Sequence, residues 1–277
     1  MMDHEEPPII TRSRLTEDLK ALGIGPGQVV MLHASVKAVG WVVGGPDVIL
    51  HAIREVLGPE GTLMMYVGWE DGTYEMGSWP EEKRRAYLEE CPPFDPATSR
   101  AVMAWSVLTE FLRTAPGAHR SANPEASMAA IGAKAAWLTS DHPLNYGFGR
   151  GSPMEKLCKA GGKVLLLGSP LDAVTVLHYA EALADVPDKR TVRYEQPVLE
   201  GGNPTWVEVE EFDSSRGIKD WGDGDYFVAI VEAFLAAGHG TRGSVGAARS
   251  FLFDADELVR SGVAWMQRTF GLPSDGP

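Results

Sequence analysis

Residues 163 to 181 read KVLLLGSPLDAVTVLHYAE, and this stretch indicates both a fold class and a candidate site. The apolar run from Val164 to Leu167 stops at a Gly-Ser-Pro segment, which is typical of a strand buried on both faces of a parallel sheet. A helix is expected next, and Asp172 can cap its first turn. Ligands of open α/β sheets bind where a strand ends and a helix begins, so this is where we expect a site.

Thr175, His178 and Glu181 recur at i, i+3 and i+6 in the predicted helix and should share one face of it. A histidine between a hydroxyl and a carboxylate can act as a general base, because the carboxylate fixes its tautomer. The same spacing also fits a buried structural pair without a catalytic role. The residues alone leave both interpretations open.

The rest of the chain predicts an α/β fold with three layers, α/β/α, around a central mixed and largely parallel sheet. We interpret residues 1–277 as a single domain, with an excursion from the sheet at about 68–96 and a smaller antiparallel β element at about 189–217. Other predicted elements are strands at residues 28–33 and 62–67, and helices at residues 47–57, 101–113, 226–236 and 254–269.

The composition limits the partners of this chain. Its 38 acidic and 25 basic residues give a net charge of -13, which disfavours nucleic acid and anionic membranes and favours small cations. The two cysteines, Cys91 and Cys158, lack metal-ligand spacing, so neither a metal site nor a disulfide framework is indicated. The N-terminus lacks a basic start and an apolar core, and the chain has no apolar run that could span a bilayer. We therefore expect a cytoplasmic protein.

Several common motifs are missing from the sequence. It has no Gly-x-Gly-x-x-Gly after the first strand, no phosphate-binding loop of the Gly-x-x-x-x-Gly-Lys type and no Gly-x-Ser-x-Gly elbow. These absences argue against a dinucleotide dehydrogenase, a P-loop enzyme and a typical α/β-hydrolase. On the residues alone, the chain is predicted to be an α/β enzyme with a histidine base.

A family resemblance extends this interpretation. Seven segments of the chain carry this resemblance: LHASVKAVG (32–40), LGPEGTL (57–63), FDPAT (94–98), RSANPEASMAAIG (120–132), LLLGSP (165–170), TVLHYAE (175–181) and DSSRGI (213–218). In this order, from about Leu15 to Phe270, the chain resembles the aminoglycoside 3-N-acetyltransferase family. The resemblance implies transfer of acetyl from acetyl-CoA to the 3-amino group of aminoglycosides, antibiotic resistance, and a fold unrelated to the Gcn5-type acetyltransferases.

The resemblance also implies roles for individual residues. His178 would deprotonate the attacking amine, Glu181 would bind its other ring nitrogen, and Thr175 would either donate to the thioester or serve only the first helical turn. Cosubstrate binding is implied for His33, Ala34, Ser35, Val36, Lys37, Arg120 and Ser121, and aminoglycoside binding for Asp71, Glu75, Glu211 and Asp213. Many relatives have histidine at the position of Asn123, so a titrating side chain is absent there and no catalytic role is assigned to it.

Two other functions remain compatible with the sequence. The chain could be a family acetyltransferase that acts on a different amine, in which case only the acidic loops would differ. It could also be a non-catalytic protein that binds cationic drugs through its acidic loops. No nucleic-acid, membrane or metal partner is expected, and the protein is expected to be a monomer or a homodimer.

Overall fold

The computed structural model describes residues 8–222 and 224–271. The strands are β1 (Ile9–Ile10), β2 (Val29–Ala34), β3 (Trp41–Val42), β4 (Thr62–Tyr66), β5 (His119–Arg120), β6 (Met128–Gly132), β7 (Lys163–Leu167), β8 (Thr191–Glu200), β9 (Asn203–Phe212), β10 (Thr241–Val245) and β11 (Ala248–Asp254). The helices are α1 (Arg12–Leu22), α2 (Val36–Val39), α3 (Asp47–Leu57), α4 (Glu81–Glu90), α5 (Val107–Arg113), α6 (Ala135–Thr139), α7 (Pro153–Lys159), α8 (Leu177–Leu183), α9 (Tyr226–Ala236) and α10 (Ala255–Phe270).

A mixed sheet forms the centre of the molecule, with the strand order β10-β11-β7-β2-β4-β6-β5. The three central strands β7, β2 and β4 are parallel, and the strands outside them pair antiparallel. The α/β fold and the mixed sheet are confirmed. The expected parallel pairing holds at the centre of the sheet and gives way to antiparallel pairs at both edges.

Strand β7 is buried on both faces, as its apolar run predicts. Val164 and Leu166 pack with α6 to α10 on one face, whereas Leu165 and Leu167 pack with α1, α3 and α5 on the other. All four side chains have no exposed surface, and burial of one such side chain contributes about 1.5 to 3 kcal/mol. Helices therefore cover both faces of the sheet, which gives the expected three layers.

The parallel pairing of β2 with β7 brings two loops together. His33 lies opposite Leu166 and Ala34 opposite Leu167, so both strands end at the same edge of the sheet. The Ser35 N–H donates to the Leu167 carbonyl at 2.9 Å and ties the first loop to the second. Because parallel strands open at their carboxyl ends, this edge is where a ligand site is expected.

Two local predictions were wrong. The helix predicted from Ala101 begins only at Val107, because the Val102 N–H donates to Val67 and Ser106 caps the helix. Asp172 does not cap α8, because it lies in a separate 3-10 turn, Leu171–Ala173. Helix α8 begins only at Leu177, so Thr175 lies before the helix, and only His178 and Glu181 of the predicted trio lie within it.

The antiparallel hairpin β8–β9 is formed as its alternating pattern predicts, with Glu200 opposite Asn203 at the turn. The segment between β4 and α5 leaves the sheet and packs against this hairpin. Phe94 forms an isolated bridge with Val198, and the Tyr74 hydroxyl donates to Asp213 at 3.1 Å. The sequence did not predict α4 within this segment, because that helix has no buried residue and hence no apolar periodicity.

Among the described residues, the helices are all too short or too polar to cross a membrane.

Candidate active site

His178, the second residue of α8, lies between two cavities. The first cavity, of about 560 Å³, is lined by the loops that follow β2 and β7 and by Trp105. The second, of about 550 Å³, is lined by residues 214–217 and by the start of α9. His178 lines both of them. One imidazole can therefore contact a molecule in each cavity.

Glu181 fixes the orientation of His178. The two side chains are joined by a hydrogen bond of 2.6 Å between Nδ1 of His178 and Oε2 of Glu181. Glu181 is 1% exposed, and its other oxygen accepts a hydrogen bond from the Tyr226 hydroxyl. Because a carboxylate accepts, the hydrogen-bond network assigns a proton to Nδ1 of His178 and leaves the Nε2 lone pair free. This arrangement presents a basic nitrogen at the junction of the cavities.

Two phenyl rings hold the plane of the imidazole. Phe148 and Phe227 each have their ring centres 4.9 Å from that of His178. Such aromatic contacts restrict ring rotation, and they leave 18% of the histidine side chain exposed. The imidazole is therefore oriented on its faces by these rings and at its edge by Glu181.

The loop beside Tyr226 completes the wall of the second cavity. The Tyr226 hydroxyl accepts a hydrogen bond from the Ile218 N–H at 3.0 Å and donates a hydrogen bond to Glu181. Gly217 has a φ of 75°, and a Cβ there would lie 2.6 Å from the Tyr226 oxygen. Glycine is required at this position both by its backbone conformation and by the close approach of the tyrosine.

Thr175 lines the first cavity beside His178. Its carbonyl accepts from the His178 N–H at 3.1 Å, so the two residues are joined through the backbone. Within residues 8–222 and 224–271, its hydroxyl has no hydrogen-bond partner in the protein, although the residue is only 7% exposed. The hydroxyl is thus available to a ligand in the cavity.

The predicted cosubstrate loop also lines the first cavity. It comprises His33, Ala34, Ser35, Val36 and Lys37, at the end of β2 and the start of α2. Burial lowers the pKa of His33 to about 4, so its imidazole is neutral at physiological pH. Its Nε2 is buried without a partner in the described chain. The loop therefore lies at the cavity wall, and its binding of the cosubstrate stays a prediction.

Arg120 and Ser121 do not reach the first cavity, which the structure lines with other residues. The Arg120 guanidinium donates to the carbonyls of Ser99 and Gly68 and to the Ser127 hydroxyl. Ser121 is fully buried, and its hydroxyl bonds His142 and the Met128 N–H. Since these polar groups are satisfied internally, the geometry assigns both residues to holding loops rather than to binding the cosubstrate.

Asn123 likewise connects loops. Its amide donates to the Pro143 carbonyl at 2.7 Å, and its oxygen accepts from the Ala126 N–H at 2.9 Å. The side chain is 1% exposed. An amide, which donates and accepts at once, suits this position better than a side chain that titrates.

The predicted acidic residues fall into an outer and a buried pair. Asp71 forms an ion pair with Arg100 at 3.2 Å, and Glu75 is exposed. Neither lines the two cavities that meet at His178. The outer pair is therefore not brought to the candidate site.

The buried pair lies at the end of β9, directly before residues 214–217, which line the second cavity. Glu211 accepts from the N–H groups of Gly147 at 2.5 Å and Phe212 at 3.1 Å, and burial raises its pKa to about 7. Asp213 has no exposed surface, and it accepts from the N–H groups of Ser215 and Arg216 at 3.1 and 2.9 Å. Asp213 therefore shapes the loop that lines the second cavity.

Some site residues were missed by the sequence analysis. Tyr226, Phe148 and Phe227 surround the His178–Glu181 pair, and Asp225 lines the second cavity and caps α9 through the Phe227 N–H at 2.7 Å. An Asp before an apolar helix is a cap signal that could have indicated Asp225. No local pattern predicts the contact between Tyr226 and Glu181, which lie 45 residues apart.

A histidine oriented by a buried carboxylate lies between two cavities at the open edge of an α/β sheet, a position from which its imidazole can contact two bound ligands. The family model of aminoglycoside 3-N-acetyltransferases matches residues 31–267. The chain belongs to this family, and its enzyme class and fold are those of an acetyltransferase unrelated to the Gcn5 type.

Similar proteins span almost the whole chain. The chain is 51% identical to aminoglycoside N(3)-acetyltransferase III of Pseudomonas aeruginosa over 261 residues, which cover 94% of this chain and 95% of that protein. A solved structure of AAC-IIIb in a binary complex with CoASH is 48% identical, with a TM-score of 0.90, and the match covers 96% of this chain and 100% of that one. A solved structure of AAC-VIa bound to sisomicin is 38% identical, with a TM-score of 0.90, and the match covers 96% of this chain and 100% of that one.

Proposed function

We propose that this chain transfers the acetyl group of acetyl-CoA to the 3-amino group of an aminoglycoside, with His178 as the general base, and so confers antibiotic resistance. One observation carries the proposal: His178 is hydrogen-bonded to a buried carboxylate and lines both cavities. A base at this junction can contact an amine in one cavity and a thioester in the other.

The first cavity is assigned to the acetyl donor. The similar AAC-IIIb structure contains CoASH, and the loop with Ser35 and Lys37 lines this cavity. Backbone N–H groups of such a loop can receive phosphate oxygens. The thioester would then lie near Thr175 and His178, at the inner end of the cavity. Thr175 is proposed to donate its hydroxyl proton to the thioester oxygen.

Transfer proceeds by direct attack of the amine. An amine that is largely protonated at neutral pH must lose a proton before it can form a C–N bond. This first proton leaves to solvent. Nε2 of His178 then takes a second proton from the nitrogen as the neutral amine attacks the carbonyl carbon, and Glu181 stabilises the imidazolium that results. The negative oxygen of the tetrahedral intermediate accepts a hydrogen bond from Thr175. The C–S bond then breaks, and the imidazolium returns the proton to the sulfur of CoA.

Neither cysteine is placed for an acetyl-enzyme intermediate. Burial raises the pKa of Cys158 to about 12 and also raises that of Cys91. A thiol with a raised pKa is a poor nucleophile at neutral pH. Neither residue lines the cavities that meet at His178. These observations support transfer without a covalent intermediate.

The second cavity is assigned to the aminoglycoside. The similar AAC-VIa structure contains sisomicin, and the cavity here is lined by Asp225 and by the Asp220–Arg190 ion pair as well as by His178. Carboxylates at a cavity wall attract a substrate with several ammonium groups. The buried Glu211 and Asp213 are proposed to support this wall from beneath.

Neutralising the acidic residues should separate the buried from the outer pair. Glu211→Gln and Asp213→Asn are expected to raise the aminoglycoside KM about tenfold or more. The first replaces one of the two oxygens that accept backbone N–H groups, the second removes a buried charge, and both disturb the loops beside the second cavity. Asp71→Asn and Glu75→Gln, the matched exposed controls, should change KM by less than about threefold. Steady-state kinetics with saturating acetyl-CoA, with thermal melting as a check on folding, measure this difference.

A larger increase in KM for the outer pair than for the buried pair would contradict the assignment of the second cavity to the aminoglycoside. A large increase in KM for the Asp71 and Glu75 variants alone would place the drug on the excursion between β4 and α5. The KM for acetyl-CoA should stay at the parental value in all four variants.

Release of free CoA thiol, with mass spectrometry of the drug, tests the proposed function. We expect thiol release that requires an aminoglycoside and a drug heavier by one acetyl group at the 3-amino position. Turnover only with another amine would support a different substrate of the same chemistry. Binding of drugs without thiol release would support a non-catalytic binding protein, and either result would overturn the proposal.

A further inference from the structure

A third cavity, of about 590 Å³, adjoins the first one at the edge of the sheet. Ser169 and Pro170, which follow β7, line both cavities. Ala38, directly after the predicted cosubstrate loop, lines the third cavity as well. A long ligand that occupies the first cavity can therefore continue past Ser169 and Pro170 into the third.

Two arginines of the β10–β11 hairpin line this third cavity. Arg242 lies directly opposite Phe251, and Arg249 precedes Phe251 by two residues, so all three side chains share one face of the hairpin. The guanidinium carbon of Arg249 lies 4.9 Å from the centre of the Phe251 ring. The Arg249 carbonyl accepts from the Gly168 N–H at 3.0 Å and fixes the hairpin beside the end of β7.

The positive charges of Arg242 and Arg249 are not paired with carboxylates of the described residues. Both side chains are exposed, and no carboxylate of residues 8–222 or 224–271 forms an ion pair with either of them. Glu232, on α9, is the one acidic residue in the lining of this cavity. In a chain with a net charge of -13, two guanidinium groups beside a single carboxylate form a local anion-attracting site.

We propose that Arg242 and Arg249 bind the phosphate groups of acetyl-CoA. The adenosine end of acetyl-CoA occupies the third cavity, its diphosphate lies between these arginines and the loop with Ser35 and Lys37, and the pantetheine arm passes Ser169 and Pro170 into the first cavity. Guanidinium groups match phosphate oxygens in geometry and charge, and their stems can pack on Phe251. The inference rests on the proposed function, and it transfers to these two residues the phosphate contact that the sequence suggested for Arg120.

Three acetyl donors test the assignment: acetyl-CoA, acetyl-3′-dephospho-CoA and acetyl-pantetheine. Arg242→Gln and Arg249→Gln should each lower kcat/KM for acetyl-CoA about fivefold, and the double variant by more. The value for acetyl-pantetheine, which lacks the phosphates, should stay unchanged. Arg54→Gln is the matched control, because Arg54 is also exposed and also lines a cavity. That cavity, of about 410 Å³, lies at the amino end of β4, away from the loops that follow β2 and β7. In calorimetry, the CoA affinity should fall in each single arginine variant, fall further in the double variant and stay at the parental value in Arg54→Gln.

The pattern across the donors identifies the phosphate. A loss with acetyl-CoA alone assigns the arginines to the 3′-phosphate, and a loss with both nucleotide donors assigns them to the diphosphate. Parental values with acetyl-CoA, or an equal loss with acetyl-pantetheine, would overturn the inference while leaving the acetyltransferase function intact. A parental protein that binds no CoA would overturn both.

Discussion

Replacing His178 with alanine is expected to reduce kcat about a hundredfold or more while CoA affinity stays close to the parental value. Among the residues that the structure describes, the imidazole is the only titrating side chain that lines both cavities, so its loss leaves the amine without a base between the two ligands. CoA affinity should persist, because the loop with Ser35 and Lys37 is unchanged. Steady-state kinetics and calorimetric CoA binding measure the two effects separately.

His239→Ala provides the matched control for this variant. His239 also stacks on a phenylalanine, with its ring centre 4.9 Å from that of Phe234, and lies 3.9 Å from Glu257, but it lines neither cavity. Its removal should leave kcat unchanged. A folded His178→Ala enzyme with near-parental kcat would remove the histidine from the mechanism.

Replacing Glu181 with glutamine is expected to lower kcat about ten- to a hundredfold with little change in either KM. The amide keeps the shape but removes the charge that stabilises the imidazolium, and its NH2 group can face Nδ1 and favour the wrong tautomer. Because Glu181 is buried and paired with Tyr226 and His178, the charge acts at low effective dielectric. Kinetics with both substrates varied measure the separation of kcat from KM.

Tyr226→Phe is expected to lower kcat less than Glu181→Gln does. The tyrosine substitution removes one hydroxyl donor to the carboxylate but leaves the bond to His178. If Glu181→Gln lowers thermal stability but keeps the parental kcat, the His178–Glu181 pair is structural only. That outcome is the alternative that the spacing of the two residues left open.

The sequence predicted the elements whose signals are local. The run of apolar residues at Val164–Leu167 predicts a strand with two buried faces, and alternation around Gly201 and Gly202 predicts the β8–β9 hairpin. The three-residue spacing of His178 and Glu181 predicts their contact, because residues at i and i+3 meet on a helix. In each case, neighbours in the chain determine the result.

The remaining features depend on contacts between distant segments. Arg120 resembles a phosphate ligand in the sequence, but its guanidinium is taken by the carbonyls of Ser99 and Gly68. Residues 101–106 can form a helix by composition, yet Val102 pairs with Val67 at the end of β4 instead. The Tyr226 hydroxyl reaches Glu181 only because α8 and α9 both pack against α10. Such tertiary contacts override local preference and carry no local signature.

The burial of Glu211 also makes the stability of the protein depend on pH. Its pKa rises from 4.5 to about 7 on folding because the carboxyl group loses contact with water. Between these values, the folded chain keeps a proton that the unfolded chain has already released. This residue therefore contributes a free energy of unfolding that decreases as the pH rises from about 4.5 to about 7. The contribution of Glu211 at the end of the β9 strand is therefore complete only below about pH 4.5, and most of it has been lost at neutral pH.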